Sequence, residues 1–129
     1  MTTEIYVLLA TCALLQILSS GPVFAGMRRQ WGLAGALGNR ENVPELTGWA
    51  GRAKRAHDNL AINLGLFSAI ILTAAHLEVS NAVTSAGSLV FLGARVTHAI
   101  SYIAGIKYVR TLAYLTGVGA TIMIAIELL

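Results

Sequence analysis

Side chains that can bind or activate a small molecule occur in three clusters along the chain. The second cluster spaces Arg95, His98 and Tyr102 at i, i+3 and i+7, so that they share one face of a helix. In the third, Arg110 and Tyr114 are four residues apart and flank the hydroxyl of Thr111. Guanidinium, imidazole, carboxamide and phenol groups together suit an anionic, polar ligand. The remaining cluster, which comes first along the chain, is Arg52, Arg55, His57, Asp58, Asn59 and Asn63.

Several classes of chemistry lack their usual residues. There is no Ser-His-Asp arrangement, no metal-ligand spacing, no phosphate-binding glycine loop and no pair of carboxylates. We therefore predict no metal site. Structural roles compete with a binding role, since the basic residues and tyrosines could anchor helices at a membrane surface and His98 could be a packed histidine. The convergence of three clusters favours a ligand.

Composition indicates an integral membrane protein. The chain has 129 residues, of which 56% are hydrophobic and 12% charged, and soluble domains carry about 25% charged residues. The net charge of +3 comes from residues beside apolar stretches. Membrane topology explains them better than nucleic-acid binding does. The single cysteine, Cys12, excludes an intrachain disulfide, and we expect it to be a small buried residue.

Four apolar stretches predict four transmembrane helices in one domain, residues 1–129. Residues 5–27 carry no charge, and the absence of a preceding basic residue favours a retained helix over a cleaved signal peptide. A polar connection follows, and Pro44 ends any helix within it. The other spans are predicted at about 52–75, 81–105 and 109–128. The fold class is thus an all-α, four-helix membrane bundle.

The positive charges predict the orientation of this bundle. Lys and Arg are concentrated in the first connection, the start of the second helix and the third connection, and none occurs between residues 76 and 80. The positive-inside rule then places both termini outside and the three clusters on the cytoplasmic side. Arg95 lies 12 residues, about 18 Å along a helix, before Lys107. It should therefore face the bundle interior and a partner.

The three clusters resemble the signatures of the MAPEG family, the membrane-associated proteins of eicosanoid and glutathione metabolism. Residues 52–59 (RAKRAHDN) are similar to the family's second-helix R-x-x-R-A-H-x-N. Residues 95–102 resemble its third-helix R-V-x-H-x-x-x-Y, and residues 110–114 its fourth-helix R-[ST]-x-x-Y. The resemblance extends over the whole chain and implies a bacterial inner-membrane homotrimer, active on the cytoplasmic side.

The resemblance also implies a function and a set of site residues. The expected activity is a glutathione-dependent transferase or peroxidase that acts on lipophilic electrophiles, with glutathione as cosubstrate and membrane lipid around the trimer. Arg110 would stabilise the glutathione thiolate, and Thr111 stands where some relatives have a serine that donates to the sulfur. The residues implied to bind glutathione are Arg29, from a neighbouring subunit, with Arg55, Asn59, Arg95, His98, Tyr102 and Tyr114.

One position departs from the family pattern. Glutathione-using members carry Glu three residues after the signature Asn, where this chain has Ile62. The absence of this Glu removes the expected countercharge of Arg95, and Asp58 is the nearest acidic substitute on the second helix. The alternative function is a non-enzymatic scaffold or lipid-binding trimer that has lost glutathione chemistry. A small transporter subunit is a further alternative, but no broken-helix repeat supports it.

Overall fold

The first part of the chain forms one long helix in the computed structural model, which describes residues 1–129. It consists of α1 (Thr3–Leu18), a π-helical turn (Ser19–Val23) and α2 (Phe24–Leu37). Pro22 lies inside the π-helical turn, whose extra residue accommodates a proline that lacks the N–H of a regular helix. The helix therefore continues past the predicted span boundary at residue 27, and Gly32, with φ of 73°, interrupts its regular backbone.

Three further helices follow, in the regions where apolar stretches predicted them. They are α3 (Gly48–His76), α4 (Ala82–Ala104) and α5 (Lys107–Ile126). Asn81 caps α4 by accepting hydrogen bonds from the backbone N–H groups of Val83 and Thr84, at 2.8 and 3.0 Å. Gly105 ends α4 with φ of 83°, a left-handed conformation that glycine adopts without strain. The predicted all-α fold is confirmed.

Contacts between distant residues define the two ends of the bundle. At one end, Nε of Arg52 donates to the carbonyl oxygen of Ile103 at 2.9 Å, which joins the start of α3 to the end of α4. We call this the basic end. At the opposite end, the Glu4 carboxylate accepts from the hydroxyl of Thr84 at 2.5 Å, and Asn81 donates to Glu127 at 2.9 Å. The starts of α1 and α4 and the end of α5 therefore meet there.

The core is small, and much apolar surface faces outward. Phe67 and Phe91 stack with ring centroids 3.8 Å apart within the largest cluster of buried residues. Three helical segments are long and apolar enough to cross a membrane: Thr3–Leu37, Gly48–His76 and Lys107–Ile126. At most 28% of the most apolar window of each is buried within the chain. The outward surface therefore has the composition expected for contact with lipid or another subunit.

α4 and Cys12 depart from these expectations in different ways. The 23 residues of α4 span about 34 Å, but they include Arg95 and His98, and α4 is not among the three most apolar segments. It instead packs against α1, α3 and α5, which shield its polar groups. Cys12 is exposed on the surface of the single chain, so the prediction that it is buried is wrong.

Candidate functional site

Arg95 lies at the centre of the candidate site, on the inner face of α4. Its side chain is 1% exposed, and its Nη1 donates to Oδ1 of Asn59 on α3 at 3.3 Å. The guanidinium carbon lies 5.0 Å from the ring centroid of Phe91 and 5.5 Å from that of Tyr114. Rings at these distances stabilise a buried cation through their negative faces. Two guanidinium nitrogens, Nε and Nη2, are buried without a hydrogen-bond acceptor.

Gly117 on α5 makes room for this guanidinium. A Cβ atom at this position would lie within 3.0 Å of Nη2, Cζ and Nε of Arg95. Any larger residue would therefore displace the Arg95 side chain. The sequence did not identify Gly117, although it follows Tyr114 by three residues and so shares its helix face. Phe91, four residues before Arg95, could have been found by the same spacing.

Aromatic rings connect Arg95 to a second cation, Arg110. The His98 ring lies 5.3 Å from the Tyr102 ring, nearly perpendicular at 77°, and 6.3 Å from the Tyr114 ring. The guanidinium carbon of Arg110 lies 4.6 Å from the Tyr102 centroid. The structure thus brings together Asn59, Arg95, His98, Tyr102, Arg110 and Tyr114. We call these six residues the cation–aromatic cluster.

The cluster contains no carboxylate. The ion pairs in the structure join Asp58 to Lys54 at 2.5 Å and to His57 at 3.1 Å. Asp58, the nearest acidic substitute on the second helix, does not serve as the countercharge of Arg95, because its carboxylate pairs with Lys54 and His57 of its own helix. Neither Arg95 nor Arg110 has an acidic partner. Two unpaired cations make this end of the bundle electrostatically suited to an anion.

Exposure divides the cluster into a buried and an accessible part. Arg95 and His98 are 1% and 3% exposed, whereas Tyr102 and Arg110 are half-buried and Tyr114 is 37% exposed. A molecule that approaches from outside would meet the accessible part first. Thr111 is exposed beside Arg110, and its hydroxyl donates to the carbonyl oxygen of Lys107 at 3.1 Å. The Thr111 hydroxyl would therefore have to break this hydrogen bond before it could donate to a sulfur atom.

Two predicted site residues lie apart from the cluster. Arg55 is exposed on α3, and its Nη1 approaches Gly51 on the surface towards the 38–47 loop. Arg29 is exposed on α2, whose backbone packs against α3 and the π-helical turn and does not come close to that of α4 or α5. Within one chain Arg29 therefore lies on a helix that is separate from the cluster. Ile62 is 69% exposed and likewise faces outward.

Fold and site together define a class: a membrane protein of several helices with a cationic and aromatic site at one end. A comparison with protein families gives the same class and makes it specific. The model of the MAPEG family matches residues 5–129, which is nearly the whole chain, and the protein belongs to this family. It is thus an integral membrane protein of a family concerned with glutathione and eicosanoid metabolism. Searches of curated proteins and of solved structures found no match.

Proposed function

We propose that the protein is a membrane-bound, glutathione-dependent transferase or peroxidase that acts on lipophilic electrophiles. The observation that carries this proposal is the state of Arg110, a half-buried cation that is stacked on Tyr102 and has no acidic partner. A cation beside a thiol favours the thiolate, which is the nucleophile. Membership of the MAPEG family supports glutathione as the source of that thiol.

The transferase reaction needs no group beyond the two substrates, whereas reduction of a hydroperoxide consumes a second glutathione, which forms a disulfide with the first. The thiolate sulfur forms a bond to the electrophilic carbon, the leaving group departs with the bonding electrons, and the thiol proton passes to solvent. Arg110 would stabilise the thiolate and the charge that develops during transfer. Tyr114 offers an accessible phenol in the same cluster. Its ring lies beside Arg95 and His98, and Asn59 accepts a hydrogen bond from Arg95.

The proposed assembly is a homotrimer in which a neighbouring subunit completes the site. Arg29 lies apart from the cation–aromatic cluster of its own chain, because the backbone of α2 does not come close to that of α4 or α5. A neighbouring subunit is then the source from which Arg29 would contribute. The outward positions of Arg55 and Ile62 agree with a ligand held between subunits rather than inside one.

Calorimetric titration of the detergent-solubilised protein with glutathione tests the proposal, together with conjugation of an aryl halide. We expect binding, and ultraviolet absorbance of bound thiolate. The variant Arg110→Ala should lose the thiolate absorbance and about 10²–10³ in conjugation rate, as when one preorganised electrostatic donor is removed. Lys107→Ala is the matched control, since Lys107 is an exposed cation at the start of the same helix.

Two results would contradict this function. Full conjugation activity in Arg110→Ala would show that Arg110 does not stabilise the thiolate. A folded wild-type protein that binds no glutathione and conjugates nothing would favour the alternative, a scaffold or lipid-binding member of the family. The exposed Ile62, in place of an acidic residue, is the observation that favours this alternative.

A further inference from the structure

Asn63 belongs to the first cluster of polar residues, but the proposed function gives it no role. It is half-buried and lies 13 residues before His76, or about 20 Å along α3. Asn63 lines a groove of about 240 Å³ between α3 and α5, whose other walls include Leu66, Ile70 and Ile122. A carboxamide at this depth in a membrane is costly, and such residues usually mark a site or a contact between helices.

The hydrogen bonds of Asn63 lead to Asn59, one turn before it on the same helix. Its Nδ2 atom carries two hydrogens and donates to the carbonyl oxygen of Asn59 at 2.8 Å and to Asn59 Oδ1 at 3.4 Å. The bond to the carbonyl oxygen alone would satisfy a polar side chain within its own helix. The second bond reaches another side chain and joins no other helix. A role of Asn63 beyond α3 therefore acts through the Asn59 carboxamide.

The Asn59 carboxamide has two orientations, which exchange its oxygen and nitrogen atoms. In the structure, Oδ1 accepts from Nη1 of Arg95 at 3.3 Å and from Nδ2 of Asn63 at 3.4 Å. The reversed orientation would turn N–H groups towards the Arg95 cation and towards the N–H groups of Asn63. Nδ2 of Asn59 donates to no atom of the chain, and Asn59 is half-buried. The observed orientation thus leaves an N–H donor available to a ligand.

We propose that Asn63 is a positioning residue: it fixes the Asn59 carboxamide so that Nδ2 of Asn59 donates to a carboxylate of glutathione. The inference rests on the proposed function, in which Asn59 belongs to the glutathione site. An N–H donor suits a carboxylate, and the unpaired cations Arg95 and Arg110 favour an anion at the same end of the bundle. Asn63 therefore affects how tightly glutathione binds, whereas Arg110 affects the state of its thiol.

Asn63→Leu tests the proposal, because leucine has a similar size and removes both hydrogen bonds. Glutathione should bind about three- to tenfold more weakly, the effect of about one hydrogen bond. The thiolate absorbance and kcat at saturating glutathione should not change, since Arg110 is unaltered. Leucine suits the apolar groove, so thermal stability should not fall, as it would if Asn63 were needed for folding. Thr73→Val is the matched control: Thr73 donates to the carbonyl oxygen of Ala69 at 2.8 Å on the same helix, and its loss should leave the affinity unchanged.

A double-mutant cycle with Asn59→Ala shows whether the effect passes through Asn59. In the Asn59→Ala background, Asn63→Leu should weaken binding no further, because no carboxamide is left to orient. Equal losses of affinity in both backgrounds would overturn the proposal, and so would an unchanged affinity in a folded Asn63→Leu protein. Either result would leave the proposed function standing.

A measurement without ligand separates this proposal from the proposed function. In protein labelled with ¹⁵N-asparagine, the carboxamide signal of Asn59 should broaden in Asn63→Leu, because the group then exchanges between two orientations. Thr73→Val should leave that signal as it is in the wild type. A sharp, unshifted Asn59 signal in Asn63→Leu would contradict the proposal. If the wild type binds no glutathione, the proposed function falls, and this signal alone decides whether Asn63 orients Asn59.

Discussion

At the scale of single residues, Arg95 is the largest fully buried side chain of the molecule. A buried cation without acceptors for two of its nitrogens is costly, because it has lost its hydration. Two aromatic rings and one carboxamide oxygen compensate in part. The absence of a carboxylate leaves the positive charge of Arg95 uncancelled beside Tyr114. A single acidic residue placed near the ligand should therefore change what this end of the bundle binds.

Ile62→Glu is the substitution that tests this expectation. Ile62 is 69% exposed, one turn from Asn59, so a glutamate there can meet a ligand ammonium without entering the core. We expect glutathione to bind tenfold to a hundredfold more tightly, since a charge-assisted contact contributes about 1.5–3 kcal/mol. Calorimetry measures the affinity. Leu66→Glu is the control, since Leu66 is 63% exposed one turn further on, and it should give no gain. An equal gain in glutathione affinity in both variants would show that the gain does not depend on position 62.

The sequence indicated part of this site, and packing decided the rest. The spacing of Arg95, His98 and Tyr102 placed them on one helix face, which is a local property of the chain. The approach of α5 that brings Gly117 against Arg95 depends on how two helices pack, and spacing within one helix does not specify that. The same limit applies to Asp58, whose carboxylate pairs with Lys54 of its own helix.

At the scale of the elements, Glu4 joins three parts of the bundle at its opposite end. Its carboxylate accepts hydrogen bonds from Ser80 at 3.2 Å, Ser85 at 3.0 Å and Thr84 at 2.5 Å, and its side chain is 2% exposed. The start of α1 is thereby tied to the turn before α4 and to the first turn of α4. The Thr84 hydroxyl also accepts from the backbone N–H of Asn81 at 2.9 Å. One hydroxyl therefore serves both a helix cap and a tertiary contact.

Thr84→Val should destabilise the protein by about 1–3 kcal/mol, the usual cost of leaving a buried polar group without one of its partners. Valine keeps the shape but removes the donor to Glu4 and the acceptor for Asn81. Unfolding in mixed detergent micelles, followed by circular dichroism, measures the effect. Thr116→Val is the matched control: its hydroxyl is exposed and donates within its own helix, to Leu112 at 2.9 Å, so the change should be small. Equal stability of the two variants would contradict a role for the Glu4 contacts.

The helix boundaries show which sequence signals were decisive. The ends of α4, at Asn81 and Gly105, agree closely with the predicted segment, because an N-cap and a left-handed glycine act locally. The first helix was harder, since Arg28 and Arg29 mark the end of an apolar span but do not interrupt helical hydrogen bonding. The helix continues through them to Leu37, and the loop that contains Pro44 follows. Hydropathy therefore located the membrane-facing part of the helix and not its end.

At the scale of the whole molecule, charge distinguishes the two ends of the bundle. Eight of the nine Lys and Arg residues belong to the basic end or to the helix turns that approach it, and Arg95 is the ninth. The turn between α3 and α4 contains none, and the opposite end carries Glu4, Glu78 and Glu127. An asymmetry of this kind orients membrane proteins with the basic end in the cytoplasm. The cation–aromatic cluster and the 38–47 loop would then face the cytoplasm.

Labelling of introduced cysteines tests this orientation. In a Cys12→Ala background, Asn39→Cys lies in the loop at the basic end and Leu77→Cys, at a site 51% exposed, lies in the turn at the other end. In intact cells a membrane-impermeant maleimide should label Leu77→Cys, and it should label Asn39→Cys only after the membrane is opened. Leu77 avoids the hydroxyl contacts that Ser80 makes with Glu4. Labelling of both cysteines in intact cells would refute the arrangement, since α3 would then not cross the membrane, and the reversed pattern would place the basic end outside.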